Sequence, residues 1–176
     1  MTDDALWYEA AHVVGITNAL NVVVDALTPA PGESPLLAPV QEPASEPAVE
    51  RVFADVRAFY DRGDVPVAFR LVAHDPAYLA DVWGATHRAF SDNRLSRRLK
   101  EALAFAVSLT THSGFGTGFH LAEMRRLGVG ERGVMEVLGV AQMFSSYTKI
   151  ADMLQLESDM AEIAPIDESP PPGGAR

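Results

Sequence analysis

A chain of 176 residues suits one domain with a sizeable core and is short for two. It holds no cysteine, which excludes disulfides, thiolate metal sites and any thiol redox cycle run by its own side chains. Its net charge of −10 sits toward the ends: residues 1–27 carry four acids and no Lys or Arg, whereas 51–156 hold thirteen basic against eleven acidic residues, so nucleic acid is not an expected partner.

In chain order, residues 5–27 read as an apolar helix with Trp7, Val14, Ile16, Leu20, Val23, Val24 and Leu27 directed inward. Asn18 and Asn21 sit one turn apart on it, and their amides are expected to bond backbone in a tight helix contact. No apolar run reaches the roughly 18 residues of a membrane span, and the N-terminus is acidic where a signal peptide would be basic. The expectation is a cytoplasmic protein with no membrane partner. Residues 28–50 are a linker, broken by Pro29, Pro31, Pro35, Pro39, Pro43 and Pro47 and laid over the surface through Leu36, Leu37 and Val40.

Helical periodicity returns from Val49 through Phe53 and Val56 to Tyr60 and stops by Gly63. Asp75-Pro76 then supplies an N-cap followed by proline at the first helical position, opening a helix with Tyr78, Leu79, Val82, Trp83 and Phe90. From Leu95, the residues Leu99, Ala102, Leu103, Ala106, Leu109 and Thr110 recur at threes and fours, which predicts a helix burying that stripe. Gly114, Gly116 and Gly118 follow His112-Ser113 and mark a tight turn or a close backbone approach. A second helix runs through Phe119, Leu121, Met124 and Leu127 to Gly128, then a short one over 131–138 and a long apolar one over 139–156. The Pro-rich acidic tail, 158–176, is expected to be disordered. With no run of strand alternation, the fold class is all-α. Val13–Leu27 laid over Val140–Leu154 pairs Asp25 with Asp152 and Leu27 with Leu154, a weak internal repeat.

If the helices on either side of the glycine run fold back on each other, Glu101 and His120 differ by only about 7 Å along the axes, at 1.5 Å rise per residue. At these residues the chain resembles the alkylhydroperoxidase D-like superfamily, which includes the carboxymuconolactone decarboxylases. Leu95-Ser96-Arg97-Arg98-Leu99-Lys100-Glu101 is similar to that family's helix start, and His120 falls where its histidine falls. The resemblance covers roughly residues 51–156 and implies a helical bundle over 51–157 that forms a homo-oligomer, with the helix of 1–27 packed on it. The two positions that hold cysteines in the family are Ser113 and Gly116 here. Restoring both thiols is expected to produce a dithiol if the turn geometry is inherited.

The decarboxylase branch of the resemblance implies acid–base chemistry as the first of three readings. Peroxide reduction needs an attacking thiolate and a resolving thiol, and this chain has neither. Serine has no redox chemistry, so Ser113 is either a nucleophile that needs an adjacent base or an N-cap for the helix carrying His120. Glu101 and His120 are expected to move protons on a small organic acid or lactone without a cofactor, with Tyr147 donating to a developing oxyanion. His112, Phe115 and Gly116 would line the substrate site. The alternatives are a core histidine satisfied by Glu101 in a cysteine-free pseudoenzyme or assembly subunit, and a hydrolytic haloacid dehalogenase-like enzyme, which lacks an evident activating Asp-Asn pair. A metal is not expected, because His112, His120 and Glu101 have no compact ligand spacing. Arg94, Arg97, Arg98 and Lys100 read as a solvated helix face or subunit contact.

Overall fold

A computed structural model describes residues 4–28 and 36–156. Among them the chain forms helices only: α1 (Asp4–Leu27), α2 (Pro47–Tyr60), α3 (Val67–Val72), α4 (Pro76–Phe90), α5 (Arg97–Thr110), α6 (Gly114–Arg126) and α7 (Glu131–Leu154). The all-α expectation holds.

Local chemistry fixes most boundaries. Asp75 caps α4 by accepting from the amides of Ala77 and Tyr78, and Ser96 caps α5 by accepting from Leu99. Proline stands in the first turn of both α2 and α4, where its missing N–H costs nothing. Residues 36–46 run without helix over the surface. There Arg70 donates to the Val40 carbonyl at 2.8 Å, and Glu42 accepts from the Val65 amide at 3.0 Å. Val40 packs against the core as expected, while Leu36 stays exposed. The expected linker therefore ends one turn early, because Pro47 begins α2. Its first prolines, and the acidic tail, lie outside the described residues.

The main core gathers Phe53, Val56 and Tyr60 of α2, Phe69 and Val72 of α3, Leu79 and Trp83 of α4, and Leu20 and Val24 of α1. Full burial of each large side chain stabilises by roughly 1.5–3 kcal/mol. α5 is the central element, in contact with α1, α4, α6 and α7. Its buried face is not the one its apolar period predicts. Lys100, Glu101, Ala104, Phe105 and Ser108 are buried, whereas Leu99 is 47% exposed and Ala102, Leu103 and Ala106 are only partly covered. The physical reason is pairing: the polar residues of the inner face find partners on α1 and α6, and the apolar stripe faces a groove.

Three further expectations are corrected. Of the two readings of the glycine run, the close approach holds at Gly116 and the turn does not; α6 starts at Gly114, and the reversal is made by Thr111 and His112, the latter with φ of 60°. The two helices expected over 131–156 are one, since Gly139 costs a helix about 1 kcal/mol without stopping it. α1 is long and apolar enough, by length and composition, to cross a membrane. It nonetheless turns Thr17 and Asn21 inward among its buried residues, together with Val13, Leu20 and Val24, and leaves Trp7 and Val14 exposed.

Candidate functional site

Folding α6 back on α5 brings the predicted pair into contact. His120 Nδ1 lies 2.8 Å from Glu101 Oε2; a carboxylate only accepts, so Nδ1 carries the proton. Both side chains are buried. The imidazole is stacked on Phe90, with centroids 5.7 Å apart, and meets the edge of Phe119 at 5.1 Å. Phe119 in turn packs on Phe115 and on Tyr60. Aromatic side chains thus occupy the surroundings of the ring.

Glu101 has a second partner. Arg97, one turn earlier on α5, approaches Glu101 Oε1 at 3.5 Å and Glu123 Oε2 at 3.2 Å, and donates to the Phe59 carbonyl at 2.8 Å. Its guanidinium carbon stands 4.0 Å from the Phe59 ring centre, a cation–π contact. Arg126 closes the network with two bonds to Glu123, at 3.1 and 2.7 Å, and Glu123 holds the Arg126 guanidinium above its ordinary pKa. Burial, reinforced by the Glu101 charge, pushes the Tyr60 phenol well above its ordinary value. Two buried carboxylates are therefore matched by two guanidinium groups. Lys100 is enclosed in the same way, bonded to the Ser91 carbonyl at 2.5 Å and ion-paired with Glu9 of α1. Burial alone would raise the Glu9 carboxyl, but Lys100 and the amides of Leu95 and Arg94 hold it below the usual range. Arg97 and Lys100 are thus internal partners, not a solvated face.

The other predicted site residues separate. Ser113 is buried and caps α6, accepting from the Gly116 amide at 3.1 Å; its hydroxyl donates to Asp25 of α1 at 3.2 Å rather than to His120. Gly116 is pressed against α1 and α5: a Cβ there would stand 2.8 Å from Asn21 Cγ and nearer still to Asn21 Oδ1 and Ser108 Oγ. The Asn21 amide donates to Ser108 Oγ at 3.0 Å, a side-chain partner where backbone was expected. Tyr147 is exposed on α7, and His112 is exposed at the turn. Neither is joined to the Glu101–His120 pair. Glu123 and Glu9 were missed in the sequence, although Glu123 follows His120 by three residues and precedes Arg126 by three, a spacing that places all three on one helix face.

Residues 76–156 match the model of the carboxymuconolactone decarboxylase family. The helical architecture is similar to a crystal structure of the alkylhydroperoxidase AhpD core from Rhodospirillum rubrum, with a TM-score of 0.69 over 76% of this chain and 100% of that one, at 22% identity. The fold is that of the alkylhydroperoxidase D core. No curated protein sequence matches it. Where the resemblance would place two cysteines, this chain has Ser113 and Gly116, and it holds no cysteine at all.

Proposed function

We propose that this alkylhydroperoxidase D-like chain is a redox-inert subunit of a homo-oligomer, in which Glu101 and His120 are a framework pair. The observation that carries the reading is the closure of the family's reactive corner. Asn21 and Ser108 fill the space a side chain at Gly116 would need, and the hydroxyl of Ser113 is committed to Asp25 and to capping α6. Glu101 divides its two oxygens between His120 and Arg97, with aromatic rings against the imidazole. Such a pair stabilises the α5–α6 contact, because removing one partner of a buried pair leaves the other without compensation.

A second reading is favoured by one feature of the same pair. With Nδ1 donating to Glu101, the ring is fixed in the tautomer whose Nε2 is the basic nitrogen, the form a general base on a small organic acid or lactone would use. The test compares His120→Gln and Glu101→Gln with the unmodified protein by thermal unfolding and by turnover of small lactones and β-keto acids. The framework reading expects a marked loss of stability and no turnover in any of the three. Turnover by the unmodified protein that drops roughly a hundred- to ten-thousand-fold in a stably folded His120→Gln would overturn it in favour of acid–base catalysis.

A further inference from the structure

We propose that α1 carries a buried water site: one water molecule, held between Thr17 Oγ1 and Asn21 Oδ1, joins this helix to the corner where α5 meets α6. The site is independent of whether Glu101 and His120 are a framework pair or an acid–base pair.

Thr17, Asn21 and Asp25 follow one another at four-residue steps, so a polar row runs along one side of an apolar helix. Asn21 meets Ser108 and Gly116, and Asp25 meets Ser113. Thr17 and Asn21 are both buried, yet Thr17 Oγ1 and Asn21 Oδ1 have no hydrogen-bond partner among the described residues. Native folds rarely keep a buried polar atom unpaired, and two on adjacent turns point to a shared guest.

The hydrogens near Asn21 Oδ1 are already spent. This oxygen can only accept. The Ser108 hydroxyl donates to the Ala104 carbonyl at 2.8 Å while accepting from the Asn21 amide at 3.0 Å, so it has no hydrogen left for Oδ1. The Ser113 hydroxyl donates to Asp25 at 3.2 Å, and the Gly116 amide donates to Ser113 Oγ at 3.1 Å. The donor for Asn21 Oδ1 therefore comes from outside these groups.

Thr17 is turned toward the same need. Thr86, Ser108, Ser146 and Thr148 each return their hydroxyl to the carbonyl four residues back, the local bond open to such residues in a helix. Thr17 forgoes that bond although its oxygen is buried. Residues four apart on a helix stand about 5–6 Å apart at Cβ, a gap that one water bonded to each oxygen at about 2.8 Å spans. Water gives one hydrogen to Asn21 Oδ1 and bonds Thr17 Oγ1 with the other hydrogen or a lone pair, and two anchors lie within the two to four that buried waters make. A larger guest is excluded on the α6 side, where the Asn21 side chain is packed so closely on Gly116 that a Cβ would stand 2.8 Å from Asn21 Cγ.

Two measurements on the full chain test the site. A high-resolution crystal structure is expected to show one water within about 2.7–3.2 Å of both oxygens. Oxygens closed onto protein groups, or no water between them, would overturn the proposal. Urea unfolding of Thr17→Val reads the same question through its sign. With a bound water the substitution removes one of its two anchors and should raise the unfolding constant roughly tenfold. With a bare hydroxyl, valine only removes an unpaired polar atom, so a variant as stable as the parent or more stable overturns the site. The crystal structure decides the matter should Thr17→Val fail to fold.

Discussion

Asn21 of α1 occupies the place beside Gly116 of α6 that a side chain would need. A Cβ on Gly116 would stand 2.8 Å from Asn21 Cγ, so the amide or the helix must move if one is added. The expectation that two thiols can simply be restored at positions 113 and 116 is therefore withdrawn. Gly116→Ala should cost about 1–3 kcal/mol, the usual range for overpacking a filled core. In an Asn21→Ala background the added cost should shrink, and the coupling is read from urea unfolding of the two single variants and the double one. Equal costs in both backgrounds would show that Asn21 is not what excludes the side chain.

The pair formed by Lys100 and Glu9 ties the N-terminal helix to the centre of the bundle. Lys100 is fully buried, and Glu9 also accepts from the amides of Arg94 and Leu95 at 3.2 and 3.4 Å, so one carboxylate holds α1, α5 and the loop before α5 together. Glu9→Gln should destabilise by about 3 kcal/mol, because it leaves a buried ammonium with the Ser91 carbonyl as its remaining partner. Lys100→Met with Glu9→Gln should recover part of that loss. Chemical denaturation measures both; a Glu9→Gln variant as stable as the parent would contradict the role assigned to the pair.

How much of this was legible in the sequence depends on whether a signal was local. The cap at Asp75, the proline start of α4 and the spacing that brings Glu101 to His120 are local, and the structure contains them. Lys100 was misplaced because charge argues for solvent unless a partner is known, and its partner is ninety-one positions away on another helix. The stripe of α5 was misplaced for the reverse reason: period identifies an apolar face, but not whether this chain or another surface covers it. His112 takes the left-handed turn conformation although three glycines follow, and the modest preference of histidine for that region is weaker than the glycine signal beside it.

Acid should weaken the fold through two carboxylates. Arg57 and the Ala44 amide hold Glu50 below its ordinary value, and Lys100 and the loop amides hold Glu9 there against its burial. A depressed folded-state pKa contributes stability that is present above the unfolded value, 4.5, and is lost as pH falls through the folded one. Unfolding free energy should therefore decline as pH drops below about 4.5. Tyr60 acts at the other end: its raised value favours the protonated phenol in the fold, so its contribution is lost as pH rises above 10.0, where the unfolded phenol ionises. Denaturation midpoints across pH should show both declines, and Glu50→Gln should make the acid one shallower.

Arg97 is the test of the site as a network. Its guanidinium reaches Glu101, Glu123 and the Phe59 carbonyl from three nitrogens while its carbon stands 4.0 Å over the Phe59 ring centre. Lysine presents a single compact charge on a flexible stem and cannot reproduce that fork or its stacking. Arg97→Lys should thus leave at least one buried carboxylate underpaired, and Arg97→Ala should cost about 3–5 kcal/mol. The exposed neighbour Arg98 provides the contrast, with Arg98→Ala expected within about 0.5 kcal/mol of the parent. Because Arg126 still holds Glu123, the carboxylate left short is Glu101, with His120 as its remaining partner. Urea unfolding of the Arg97→Lys, Arg97→Ala and Arg98→Ala variants measures these costs; an Arg97→Ala variant as stable as the parent would show that Arg97 does not hold the buried carboxylates.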